Sequence, residues 1–175
     1  MISHKQAGQV IPPAANDSPA RTSIMLCTGH LINLLAPDPA VITIEVIARG
    51  LARQPRFAGQ TTGFLSVAEH SLNVAALVRP GLVRAAMLHD APEAILGDVP
   101  TPLKRLLPDY EVIESRMANA VALAFGFPSA DVFHHPDIKA ADAAMAWAEA
   151  RWTMPHHAEQ MPGPPDDPDM RRHAI

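Results

Sequence analysis

The chain has 175 residues, of which 48% are hydrophobic and 18% charged, so a single domain with a buried core is feasible. Its net charge of −4 excludes a global basic surface, and we therefore expect no nucleic acid polymer as partner. No apolar run approaches the roughly 20 residues that span a bilayer, no secretory leader is recognisable, and the single cysteine, Cys27, excludes an internal disulfide.

The cysteine usage predicts a protein of a reducing cytoplasm. Residues 1–35 form a lead-in that we expect to be partly loose, because its first 22 residues are polar and contain three prolines. The apolar stretches on either side of Gly29 are compatible with a small hairpin.

Helical periodicity begins at residues 42–51, where the apolar side chains fall on one face. Residues 54–63 are rich in Gly, Pro and Thr and are predicted to form a loop. Ser66 then stands three residues before Glu69, which is the pattern of a capping box, and a helix is predicted from there to Val78.

A further helix is predicted from about Leu82 through the His89-Asp90 pair. Pro92 is expected to open a short helical turn, since proline is tolerated at a first helical position. Pro100 and Pro102 predict an irregular loop after it.

Two longer helices are predicted at residues 108–125 and 137–152, the second rich in alanine and therefore able to pack closely. Residues 153–175 are rich in Pro and Asp and predict a flexible tail. The sequence of helix after helix predicts an all-α fold with one domain at residues 36–152.

The His89-Asp90 pair places an imidazole beside a carboxylate, and together they can serve one divalent metal. His70 and Asp142 are candidates for the remaining ligands. Two histidines and two carboxylates around one ion form a site that activates water, most often for attack on phosphorus.

The positions of these candidates favour a shared site. His70 has Val67 and Val74 at helical spacing and is predicted to point inward, and Asp142 lies among alanines, where an unpaired carboxylate is costly. Two simpler interpretations stay open: His70 as a satisfied core histidine, and Asp142 paired with Lys139 at the surface.

Glu93 and Asp98 follow the pair. Glu93 lies one helical turn past Asp90 and is a candidate general base or a residue that orients the water. Asp98 either caps a turn or accepts a hydrogen bond from a sugar hydroxyl or from the attacking water.

A phosphate substrate needs positive charge beyond the metal. Arg56 and Lys104 are candidates for it, and Phe57 could stack on a base if it is exposed beside Arg56. The alternatives are a solvated loop arginine and a core phenylalanine.

The segments SVAEHS, AAMLHDAPEAILGDVPTPLK and IKAAD resemble the HD-domain phosphohydrolases. The closest resemblance is to bacterial 5′-deoxynucleotidases and to small bacterial and phage HD hydrolases, near the phage triphosphohydrolases that act on dATP and other deoxynucleoside triphosphates. It extends over residues 29–152. It implies a helical HD bundle around one metal, and a homo-oligomer.

The resemblance also implies roles for individual residues. One divalent ion (Co, Mn or Zn) would be bound by His70, His89, Asp90 and Asp142, and Mg²⁺ would accompany a triphosphate substrate. Glu93 would be the catalytic acid or base, aided by Asp98. The substrate would contact Arg56, Phe57 (tryptophan in the deoxynucleotidases), Asp98, Val99, Pro100 and Thr101. Lys104 is a further candidate contact because of its own positive charge.

The leading hypothesis is therefore a metal-dependent phosphohydrolase for a deoxynucleotide, which releases phosphate from a monophosphate or triphosphate from a triphosphate. The alternative is a non-catalytic nucleotide-binding HD module. A third reading, hydrolysis of a cyclic dinucleotide or an alarmone, needs further histidines for a second metal. His134-His135 and His156-His157 are interpreted as surface or tail residues instead.

Overall fold

The computed structural model describes residues 21–154 and residue 156. The loose lead-in and the flexible tail predicted from the sequence fall largely on residues outside this range and stay predictions. Among the described residues, no helix combines the length and the apolar character needed to cross a membrane.

The described chain is mostly helical, which confirms the all-α class at the level of secondary structure. Its α-helices are α1 Ile44–Leu51, α2 Val67–Leu77, α3 Val83–Ala86, α4 Glu93–Leu96, α5 Thr101–Lys104, α6 Pro108–Ala124 and α7 Pro136–Thr153. Short 3-10 helices lie at Pro39–Val41, Arg56–Gly59, Pro80–Leu82 and Ala130–His134.

Two short strands precede the helices. Strands β1 (Ser23–Met25) and β2 (Leu31–Asn33) pair antiparallel, with Ile24 opposite Ile32. The turn between them needs a positive φ, which Gly29 supplies at +84°. Ile32 is fully buried, so the hairpin contributes to the core as well as leading into it.

The predicted capping box is confirmed at the start of α2. The Ser66 hydroxyl accepts from the Glu69 backbone N–H at 3.1 Å, and the Glu69 carboxylate accepts from the Ser66 backbone N–H at 2.9 Å. Two backbone donors are thereby satisfied, and such a cap stabilises a helix by about 1 kcal/mol. This cap fixes the start of the helix that carries His70.

The prediction of a continuous helix through His89-Asp90 is wrong. Helix α3 ends at Ala86, and residues 87–92 form successive turns before α4. Pro92 has no N–H with which to continue an α-helical ladder, and the chain tightens to three-residue bonds such as Ala91 N–H to the Leu88 carbonyl at 3.0 Å.

The irregular loop predicted around Pro100 and Pro102 is also wrong in part. Residues Thr101–Lys104 form the short helix α5. Pro102 lies in its first turn, where no intrahelical N–H bond is needed, and the Lys104 N–H bonds to the Pro100 carbonyl at 3.0 Å. Likewise, the predicted loop at residues 54–63 contains a short 3-10 helix, Arg56–Gly59.

Two helix pairs position the candidate site. Helix α2 packs against α7, and α1 packs against α4. The second contact is so close that a Cβ added at Gly50 would lie 2.3 Å from the Ala94 carbonyl oxygen. This close packing holds α4, and with it Glu93, against the core.

Candidate metal centre

Four side chains from three parts of the chain converge on one point. His70 comes from α2, His89 and Asp90 from the turns before α4, and Asp142 from α7. His70 Nε2 lies 3.0 Å from Asp142 Oδ1 and 3.7 Å from Asp90 Oδ2. His89 Nε2 lies 3.2 Å from Asp90 Oδ2 and 3.9 Å from Asp142 Oδ1.

These separations suit ligands of a single ion. Ligand atoms about 2.1 Å from a metal lie about 3.0 Å apart in an octahedral shell and about 3.4 Å apart in a tetrahedral one. The ligand atoms of His70, His89 and Asp90 all lie within 4.8 Å of one another, so this group could hold a metal ion. Asp142 contacts both histidines and is the natural fourth member.

The His89 ring is prepared for such a role. Its Nδ1 lies 2.7 Å from the Ala86 carbonyl oxygen, to which only a protonated Nδ1 can donate. Its Nε2 is buried and has no hydrogen-bond partner among the described residues. An unsatisfied buried nitrogen beside two carboxylates fits a metal ligand, because a bound cation would satisfy it.

His70 is fully buried, as the helical spacing predicted, and both of its ring nitrogens face carboxylates. Nδ1 lies 2.9 and 3.1 Å from the two oxygens of Glu149, while Nε2 faces Asp142. Burial opposes the charged ring, but the hydrogen bonds with Asp142 and Glu149 outweigh it and raise the pKa of His70 to about 9. The surrounding field therefore favours a cation here.

Sequence reasoning missed Glu149. It is 5% exposed and lies on α7 seven residues after Asp142, so two helical turns bring both carboxylates to the same face. That spacing was the available signal.

Asp142 itself is half-buried, with 41% of its side chain exposed. Burial opposes ionisation, yet the hydrogen bond with His70 and the charges of His70 and His89 outweigh it and hold the pKa of Asp142 well below its usual range. The alternative in which Asp142 pairs with Lys139 at the surface is not supported, because within residues 21–154 no ion pair joins these two side chains.

Glu93 lies beside this group and is 7% exposed. Its burial, together with the charges of Asp90 and Asp98, raises the pKa of Glu93 to about 9. Lys104 Nζ stands 3.5 Å from one carboxylate oxygen, and the other oxygen is buried without a hydrogen-bond partner in the described part of the chain. Lys104 also pairs with Glu114 of α6.

Arg56 faces the same group from the loop before α2. Its Nη1 lies 3.9 Å from Asp90 Oδ2, and its Nε lies 3.5 Å from Glu149 Oε2. The Phe57 ring is half-buried, 5.3 Å from the Arg56 guanidinium carbon. The loop bends here through positive φ values, +54° at Phe57 and +52° at Ala58.

The other predicted substrate residues lie nearby with fewer contacts. Asp98 and Val99 are half-buried, and Pro100 and Thr101 are exposed. Burial and the charge of Asp90 raise the pKa of Asp98, although Arg56 opposes this. Within residues 21–154, no hydrogen bond or ion pair joins the side chains of residues 98–101 to the metal-ligand group. Their roles toward a substrate stay predictions.

A cavity of about 460 Å³ opens beside the group. One wall carries His89, Asp90, Glu93 and Lys104. Another part of the wall comes from α6 and the following 3-10 helix, with Glu111, Glu114, Ser115, Ala118, Asn119, Ala130, Asp131, Phe133 and His134. Sequence reasoning missed this wall, although the α6 members recur at the three- and four-residue spacing of one helical face.

Comparison with known proteins identifies relatives. The chain is 45% identical over 138 residues to an uncharacterized protein of Rhodobacter capsulatus, a match that covers 71% of this chain and 69% of that protein. The chain belongs to the family of this Rhodobacter protein. It is also 40% identical over 110 residues to the uncharacterized protein YfdR of Escherichia coli, and this match covers 63% of the chain and 60% of YfdR.

No family model matches the chain. The chain spans less than two thirds of YfdR, and both of these relatives are uncharacterized proteins. The similarity to the Rhodobacter protein therefore shows which family the chain belongs to, but it assigns no activity to the chain. The site itself offers a group that could hold a cation, a buried carboxyl beside it, an arginine, and a cavity.

Proposed function

We propose that the protein is a metal-dependent phosphohydrolase of the HD type that acts on a deoxynucleotide. The observation that carries the proposal is the arrangement of His70, His89, Asp90 and Asp142, whose facing ligand atoms lie 3.0 to 3.9 Å apart. The buried, unpartnered Nε2 of His89 points to the same conclusion. The motif resemblance supports the phosphohydrolase class.

A divalent ion held by these four residues would polarise a phosphoryl oxygen and lower the pKa of a water molecule. The remaining work falls to the chain itself. Arg56, with 12% of its side chain exposed, would bind the phosphoryl oxygens, because a guanidinium in a partly dry site offers charge and paired donors.

Glu93 would hold or move the proton. Its burial and the neighbouring carboxylates favour the protonated form, which is suited to donate to a leaving oxygen. When it is ionised, the same raised pKa makes its carboxylate a stronger base toward the water. Lys104 contacts Glu93 and so tunes its charge, which is a more limited role than binding phosphate directly.

The cavity would take the nucleoside. Its volume of about 460 Å³ lies within the range of small-molecule sites, and its wall from α6 offers polar side chains to a sugar or a base. Phe57, Asp98, Val99, Pro100 and Thr101 do not line this cavity. Their contacts with the base and the sugar are carried into the proposal from the motif resemblance alone.

The experiment is incubation of the purified protein with dAMP and with dATP in Mn²⁺, Co²⁺ or Zn²⁺, followed by ion-exchange detection of phosphate and triphosphate. Asp90→Asn is the test variant, and Asp109→Asn, an exposed position on α6, is the matched control. Release by the wild type and the control, but not by Asp90→Asn, supports the proposal. No release from either nucleotide with any of the three metals would refute it for these nucleotides.

A further inference from the structure

Glu149 is a buried carboxylate without a role in the proposed chemistry. It lies in the last two turns of α7 and is 5% exposed. A buried carboxylate is costly unless it is compensated by hydrogen bonds or charge. Two groups compensate the Glu149 carboxylate: the His70 ring, whose Nδ1 lies 2.9 and 3.1 Å from its oxygens, and Arg56, whose Nε lies 3.5 Å away.

Both ring nitrogens of His70 face carboxylates, Nδ1 toward Glu149 and Nε2 toward Asp142 and Asp90. An ion bound by Nε2 would leave the single ring proton on Nδ1, where Glu149 accepts it. Carboxylates placed behind a ligating histidine orient the ring and increase the basicity of the ligating nitrogen. Glu149 occupies that position behind His70.

The contact with Arg56 links the same carboxylate to the loop before α2. A second connection lies nearby: the Thr153 carbonyl accepts from the Thr62 backbone N–H at 2.9 Å, and the Thr153 hydroxyl donates to the Glu149 carbonyl at 2.7 Å. The end of α7 therefore contacts the loop at two places. Glu149 is the side chain that joins this loop to a member of the metal-ligand group.

We propose that Glu149 is a positioning residue, which orients His70 for metal binding and holds Arg56 beside the metal-ligand group. The effect of Glu149 on His70, called the His70 part below, follows from the ligand geometry alone. Its effect on Arg56, called the Arg56 part, rests on the proposed function, because it concerns a phosphate substrate.

Two variants separate the contacts. Glu149→Gln keeps an oxygen that accepts from His70 Nδ1–H but removes the charge that faces Arg56. Glu149→Ala removes both. Thr153→Val is the structural control, because it deletes a buried hydrogen bond in the same turn of α7 without touching His70 or Arg56.

The first measurement is titration with Mn²⁺ alone, which needs no substrate. We expect Glu149→Ala to weaken Mn²⁺ binding about 10- to 100-fold, as loss of such an outer partner does elsewhere. Glu149→Gln and Thr153→Val should stay within about threefold of wild type. Wild-type affinity in Glu149→Ala, or equal losses in Gln and Ala, would overturn the assignment.

If Glu149→Ala does not fold, nitrogen-15 spectra of the histidine rings decide the same question in Zn²⁺-loaded wild-type protein. The ring whose signals shift in Glu149→Gln should carry its proton on Nδ1 and bind the ion through Nε2. The opposite assignment would overturn the proposal.

The second measurement is turnover of dAMP and dATP. With Glu149→Gln we expect KM to rise on the order of tenfold and kcat to change less, because Arg56 loses its partner while the metal site persists. An unchanged KM would contradict the Arg56 part. If no nucleotide is turned over by the wild type, the proposed function fails, while the Mn²⁺ titration still tests the His70 part.

Discussion

Replacement of Glu93 by glutamine should separate metal binding from turnover. The side chain is 7% exposed and lies next to the metal-ligand group. One of its oxygens faces Lys104 and the other is buried. Glu93 is not one of the four predicted metal ligands. Glutamine has nearly the same shape and cannot exchange a proton. The change therefore removes proton transfer and leaves the coordinating atoms in place.

The expected magnitudes differ for each property. Loss of a general acid or base costs about 10²- to 10⁴-fold in rate, or about 3 to 5 kcal/mol of activation free energy. Mn²⁺ affinity should stay within about threefold. The metal-free protein should become more stable, by about 1 to 3 kcal/mol at pH 8, because the folded state no longer has to take up a proton at a buried carboxyl.

The sign of the stability change follows from the pKa. Burial raises the pKa of Glu93 to about 9 from its ordinary value of 4.5, so the folded state binds a proton that the unfolded state has released. This group therefore destabilises the wild type increasingly from about pH 4.5 up to about pH 9. Glutamine carries no such dependence, and the gap between variant and wild type should widen with pH.

The assay combines Mn²⁺ titration, initial rates with dAMP and dATP, and thermal unfolding of the metal-free protein at pH 5 and pH 8. A melting temperature several degrees above wild type at pH 8, with a smaller difference at pH 5, is the expected pattern. Glu45→Gln, an exposed position on α1, controls for loss of a negative charge. Wild-type turnover in Glu93→Gln would remove Glu93 from the mechanism, and a lower stability at pH 8 would refute the electrostatic reasoning.

Three further predictions test the site and the packing. His89→Ala should lose Mn²⁺ binding and turnover together, whereas His30→Ala in the hairpin should keep both, as titration and rate measurements will show. Gly50→Ala should lower stability by about 1 to 3 kcal/mol, because its Cβ would lie 2.3 Å from the Ala94 carbonyl oxygen; Gly63→Ala, with no atom within 4 Å, is the control in thermal unfolding. Mn²⁺ at about 100 times its Kd should raise the unfolding free energy by about 2.7 kcal/mol relative to the EDTA-treated protein, and a melting temperature that does not rise would argue against a site specific to the folded state.

The parts of the fold that depend on local chemistry were predictable. The Ser66 and Glu69 cap, the starts of α6 and α7 near proline, and the inward face of His70 all follow from interactions within one or two turns. The turn at residues 87–92 was not predicted, because apolar spacing up to His89 continues the helical pattern. Pro92 has no N–H and so limits an α-helical ladder there, but the three-residue bonds begin earlier, at the Leu88 N–H, where the sequence carries no signal.

For the site, the sequence could predict which residue types would take part but not how they are brought together in space. Nothing local to Asp142 tells that α7 packs against α2 and places this carboxylate 3.0 Å from His70. Glu149 shows the same limit, since its partners are 79 and 93 positions earlier in the chain at His70 and Arg56. The far wall of the cavity likewise depends on how α6 is placed, which is a tertiary property.

The left-handed bend at Phe57 and Ala58 restricts which side chains position 57 of this chain can accept. A residue with φ near +54° costs about 1 kcal/mol or more unless it is glycine, and β-branched side chains tolerate that region least. The Arg56 backbone N–H is bonded to the Leu65 carbonyl at 2.9 Å, which helps hold the bend in place. Substitution at position 57 is therefore restricted first by the backbone: valine, isoleucine and threonine are disfavoured, whereas glycine and asparagine are favoured.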